Sequence, residues 1–176
     1  MRQGVLKALV VGACTFGVVA ATAGATTLQR LGLQGIVDNS DSIVVGEAIS
    51  ARTERTDNGV FTYTTFRVSD SIVGGSSSEV TVTTLGGRFT SGKYQLSENW
   101  AGSPTFLAGK RMVLFLRDSA VGDMQIVGFN QGALPISETA QGETVRSPDG
   151  GVVSLDAMKS QVLTLRSQGG QQVTSE

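Results

Sequence analysis

The chain has 176 residues, of which 14 are basic and 15 acidic, for a net charge of −1 and no histidine. With no dense basic run, nucleic acid is excluded as an expected partner. Without imidazole, the commonest general base and metal ligand near neutral pH, Ser-His-Asp and Cys-His machinery and His-ligated zinc are excluded too, and most hydrolase mechanisms go with them.

The first element in chain order is a secretory signal peptide over residues 1–25. Arg2 and Lys7 supply a positive start, residues 8–21 an apolar stretch, and Ala21-Thr22-Ala23 and Ala23-Gly24-Ala25 the small-x-small pattern of a cleavage site, placed after Ala25. A retained anchor fits less well, because no strongly apolar run reaches about 20 residues. A lipoprotein is the minor alternative: Val11-Gly12-Ala13-Cys14 is lipobox-like and would make Cys14 the lipidated residue, although the apolar run between Lys7 and Cys14 is short. Cleavage after Ala25 removes the only cysteine and two cations, leaving 12 basic against 15 acidic residues, a net −3. Such a domain is expected to be periplasmic or extracellular, with no membrane span after cleavage, and it gains nothing from an oxidising compartment. It must stand on its core, and one domain over residues 26–166 is long enough to bury about two-thirds of its unfolded surface.

Leu28, Leu31, Ile36 and Val37 recur at helical spacing, so a short helix is expected over residues 27–37, ended by Asp38-Asn39-Ser40-Asp41. In the next segment, from Ser42, apolar residues occupy both parities at first and one parity later. That pattern predicts a strand that starts doubly buried and emerges into solvent near residues 52–55. Asp57-Asn58-Gly59 reads as a turn and residues 60–73, rich in β-branched and aromatic side chains, as the second arm of a long hairpin. A third strand is expected from Glu79 to Gly86-Gly87, with Leu85 off parity and a bulge near Thr83 or Thr84. Residues 88–110 keep no period and read as a long irregular crossing. Residues 111–117, Arg-Met-Val-Leu-Phe-Leu-Arg, are apolar on both parities and read as a central strand. Residues 124–129 form a fifth strand and residues 131–136 a short edge segment limited by Pro135. Residues 139–151 read as loop. A final helix carries Leu155, Met158, Val162 and Leu165 on one stripe, capped by Ser154, with Asp156 in its first turn and Arg166 in its last. Residues 167–176 lack apolar anchors and are expected to be a disordered tail. Five or six antiparallel strands avoid open edges by closing, so the predicted fold is mainly β: a small closed or partly open antiparallel barrel with a short N-terminal and a C-terminal helix.

Several of these runs resemble a widespread group of exported bacterial proteins of unknown function. They are Asp41-Ser42-Ile43-Val44-Val45-Gly46, the Tyr63-Thr64 strand reaching Gly74-Gly75, the Val80-Thr81-Val82 strand reaching Gly86-Gly87, Phe106 to Leu116 with Gly109-Lys110-Arg111, and Gly128-Phe129-Asn130-Gln131-Gly132. More remotely the order is similar to the netrin-like, tissue-inhibitor-of-metalloproteinases version of the oligonucleotide/oligosaccharide-binding (OB) barrel. The resemblance implies an OB-like barrel. The zinc-chelating N-terminal cysteine of those inhibitors has no counterpart, since the mature chain would begin at Thr26.

Candidate binding residues fall in the crossing, where a rigid β scaffold often carries function: Trp100 first, then Tyr94, Phe89 and Arg88, with Phe106 as a further aromatic of the same contact surface, against the alternative that the aromatics plug the open end of the barrel. Gly86-Gly87 ahead of Arg88 fits a strand-ending turn better than an anion nest. Asp38 and Asp41 fall far short of the roughly six oxygens of a calcium loop and read as capping or turn residues. Glu47 has no second acid placed to work with it and reads as solvent-facing at a strand edge. No Gly-x-Ser-x-Gly elbow occurs. These residues point to an exported non-catalytic binding or interaction module, not an enzyme, with no cofactor or metal and another extracytoplasmic protein as its partner. A secreted protease inhibitor is the alternative from a different class, followed by a histidine-free enzyme working through carboxylates or lysines.

Overall fold

The computed structural model describes residues 29–75, 77–119 and 123–172. The expected signal peptide, its cleavage after Ala25, the Cys14 alternative and residues 173–176 lie outside the described residues.

Helix α1 (Leu33–Asp38) has only six residues, too few to be stable alone. Distant segments secure both of its ends. Asp149 Oδ1 accepts the Leu33 N–H at 2.9 Å, and the Arg166 guanidinium donates to the Val37 carbonyl at 3.2 Å. The helix begins later than its apolar spacing predicts because Gly32, in extended conformation, caps it.

Strands β1 (Ser42–Thr56) and β2 (Gly59–Val73) form the long hairpin expected from the sequence, joined through Asp57-Asn58. The N-terminal part of β1 also pairs on its other side with β6 (Arg111–Asp118), from Ser42↔Leu116 to Glu47↔Arg111. Beyond that point β2 is the only strand that pairs with β1 in a ladder, and most β1 residues from Ser50 to Thr56 are exposed. Strand β3 (Glu79–Leu85) runs antiparallel to β2 in unbroken register, from Phe61↔Leu85 to Arg67↔Glu79. The bulge expected at Thr83 or Thr84 is therefore absent: Leu85 is off parity because it lies on the outer face beside Phe61. The register shifts fall in β1 instead, at Ile43/Val44, Val45/Gly46 and Ala48/Ser50, where this strand bends between two partners.

Strand β7 (Met124–Ile126) is antiparallel to β6 and touches β3 in parallel through one bridge, Val82↔Met124. The order β1-β2-β3-β7-β6, with β6 back on β1, places five strands in a ring. After a 3-10 helix (Phe129–Gly132), strand β8 (Ala133–Thr139) joins the outer side of β6, followed by β9 (Gly142–Arg146) and β10 (Val152–Ser154). Much of the predicted loop over residues 139–151 is thus the turn and second arm of a hairpin. Its polar residues hid the strands because β9 buries a single apolar side chain, Val145.

Two cores follow from the ring. Phe66, Val82, Leu114 and Leu116 fill its interior, whereas Ile43, Val45, Val113 and Phe115 point outward and are covered by α1, β8, β9 and helix α2 (Leu155–Gln172). The doubly apolar runs in β1 and β6 are explained by this arrangement, with one parity serving each core. Helix α2 starts as expected, with Ser154 Oγ accepting the Ala157 N–H at 3.1 Å, and buries Leu155, Met158 and Val162. It continues through Gln172, so the tail expected from residue 167 is helical as far as it is described. Its extension runs alongside α1, where an added Cβ on Gly169 would lie 3.3 Å from Asp38 Oδ1. Among the described residues no helix is long and apolar enough to cross a membrane.

Candidate functional site

The crossing is more ordered than its sequence suggests. Residues 88–98 belong to a second hairpin, β4 (Gly87–Ser91) and β5 (Tyr94–Glu98), and only the stretch from Asn99 to Lys110 is irregular. Two glycines set the hairpin against the ring. Gly86 and Gly87 have φ of 82° and 141°, and an added Cβ would sit 2.4 Å from the Glu98 carbonyl oxygen and 2.2 Å from Thr62 Oγ1 respectively. Only glycine allows this left-handed, close approach. The Gly86 N–H donates to the Val60 carbonyl at 2.7 Å, so it is engaged in the turn and not presented to an anion.

The pairs Phe89↔Leu96 and Ser91↔Tyr94 share one face of this hairpin, and Arg88↔Ser97 faces the other way. Register therefore separates the four predicted residues. Arg88 and Trp100 line a groove of about 530 Å³ whose other walls include Thr53, Thr62, Glu98, Asn99 and Leu107. Phe89, half-buried, lies beneath Arg55 on the opposite face, with the guanidinium carbon 5.7 Å from the ring centroid. Tyr94, 62% exposed, stands at the hairpin tip beside Lys93.

Trp100 is held in place yet uncovered. Its indole N–H donates to Glu98 Oε1 at 2.7 Å while the side chain stays 52% exposed, close to the 64% of Leu107. The plug of the ring is a different aromatic: Phe106 meets Phe66 edge-on, centroids 5.0 Å apart at 83°, and joins the interior core. The crossing thus divides its aromatic residues between closing the ring and standing outside it.

A second cavity of about 390 Å³ lies beyond a wall that Leu85, Ser103 and Pro104 share with the groove. The wall is tied by Ser103 Oγ, which donates to the Leu85 carbonyl at 2.7 Å. Phe61, Arg117, Gln125 and Phe129 complete it. Sequence reasoning missed this site because its residues come from five separated segments. The off-parity Leu85 was the one local signal.

The remaining candidates resolve into structural positions. Glu47 is half-buried in a strand flanked on both sides, opposite Arg67 on β2 and Arg111 on β6, which corrects the expected edge position. Asp41 Oδ2 accepts the Asp118 N–H at 2.9 Å, tying the turn after α1 to the end of β6, and Asp38 Oδ1 accepts from the Gln34 side-chain amide at 2.7 Å; the C-cap of α1 is Asn39, so neither acid caps it. Among the described residues no group of three or more acidic, histidine or cysteine side chains is placed to hold a metal ion. No family model, curated protein or solved structure matches the chain.

Proposed function

We propose that this protein is an exported, non-catalytic binding module that captures another extracytoplasmic protein in the groove between the β4–β5 hairpin and the ring. On this reading the ring is a small closed barrel of the OB-like kind, and residues 1–25 are removed on export. The observation that carries it is Trp100: a large aromatic ring left half-exposed while its polar atom is already satisfied by Glu98. An indole fixed in orientation has little rotamer freedom left to lose on binding, and Trp is the residue type that most often dominates interface energies. Leu107 beside it and Arg88 across the groove supply the apolar and charged company that such anchors use. The hydroxyl-rich walls of the groove suit hydrogen bonding to a polypeptide without supplying a nucleophile–base pair.

The test is capture by the immobilised protein from the envelope fraction of its own host, set against Trp100→Ala. The expected result is that the substitution removes the retained partner and lowers the melting temperature by about 2 °C or less. A melting temperature that collapses, or a partner retained undiminished, contradicts the assignment.

A further inference from the structure

We propose a second site: the slot between β3 and β7 binds a small monocarboxylate carried on an apolar or aromatic tail. It uses the cavity behind the Leu85 wall and does not depend on the Trp100 groove. Its origin is topological. The five-stranded ring closes through one parallel bridge, Val82↔Met124, and past that bridge Thr83 to Leu85 on β3 and Gln125 on β7 line a cavity of about 390 Å³ with no further ladder pair between them. That volume lies within the roughly 300–1,000 Å³ typical of small-molecule sites.

The lining specifies the ligand. Phe61, Leu85 and Phe129 form apolar walls suited to a tail. Arg117 and Gln125 face each other across β6 and β7 and so share one side of the sheet. Neither side chain makes a hydrogen bond or ion pair among the described residues. The cavity contains that one guanidinium and, among the described residues, no acidic side chain. A single unpaired guanidinium next to an amide donor matches a monoanion, and the planar fork fits a carboxylate in bidentate fashion. A polyanion would leave charge unmatched.

Phe129 supplies an independent observation. It is the sole non-glycine residue with positive φ among the described residues, at 60°, and it directly follows Gly128 at 64°. A bulky side chain is disfavoured in that left-handed conformation, and such outliers cluster at ligand sites. Glycine would meet the backbone requirement better, so the aromatic wall is what the strained position retains.

The experiment is calorimetric titration of the full-length protein with 4-phenylbutyrate and with 4-phenylbutan-1-ol, which carries the same tail without the charge. The acid is expected to bind once per chain, about tenfold tighter than the alcohol. Arg117→Gln, at an exposed position, should reduce that preference to about twofold or less. Phe129→Gly should weaken both ligands about tenfold while leaving the melting temperature unchanged or higher, since it relieves the backbone. Absence of saturable binding by the acid, equal affinity for acid and alcohol, or a preference that survives in Arg117→Gln would each overturn the assignment. A fall in melting temperature for Phe129→Gly would show instead that the ring is held there for packing.

Discussion

On the flank covered by α1, α2 and the β8–β10 extension, β1 and β6 bury side chains on both faces, and Val45, Val113 and Phe115 are inaccessible to solvent. The flank that carries β4 and β5 is built differently. Its hairpin packs on the ring mainly through Gly86, Gly87 and Phe89, and it leaves Tyr94, Leu96, Trp100 and Leu107 exposed. Burial on two faces makes a strand indispensable to the fold. Attachment through two glycines and a few contacts leaves a hairpin whose side chains are free to serve another purpose. On the proposed function, the first flank carries stability and the second recognition.

Substitutions can break that contrast, and they differ in expected size. Phe115→Ala opens a cavity in the outer core and should destabilise the protein by about 3–5 kcal/mol, read as a lower denaturant midpoint with the slope unchanged. Gly86→Ala meets both a left-handed φ and the Glu98 carbonyl, so a loss of about 2 kcal/mol or more is expected. Because Gly86 also bonds to Val60, this loss should appear in global unfolding while the covered flank keeps its native chemical shifts. Asp149→Ala removes the cap of α1 and should cost about 1 kcal/mol in thermal unfolding. Trp100→Ala should cost about 0.5 kcal/mol or less, the smallest stability effect of the four. If it equalled the Gly86 effect, the two flanks would not be separable.

The covered flank was the more legible of the two in the sequence. Residues 111–117 announce a doubly buried strand because both parities are apolar, and Leu155, Met158 and Val162 announce a docked helix by their spacing. The β1–β2 hairpin was legible from Asp57-Asn58-Gly59 between two long β-rich runs. The β4–β5 hairpin was not, because exposure on both faces removes the alternation that marks a strand: Thr90, Ser91, Gln95 and Ser97 are all exposed. The parallel contact of β3 with β7 was also hidden, being a non-local pairing that no local period encodes, and with it the cavity between them. Trp100 could be picked out as a large aromatic in an aperiodic segment. That Phe106 and not Trp100 plugs the ring depends on which side chain reaches Phe66, a question of register and not of composition.

Native-state hydrogen exchange, read strand by strand, bears most directly on the separation of the two flanks. The β6 amides are expected to exchange only through global unfolding, while the β4–β5 amides exchange at least about 100-fold faster through local opening. Equal protection in β6 and in β4–β5 would place the hairpin in the cooperative core and make Trp100 a structural residue, contrary to the role assigned to it here.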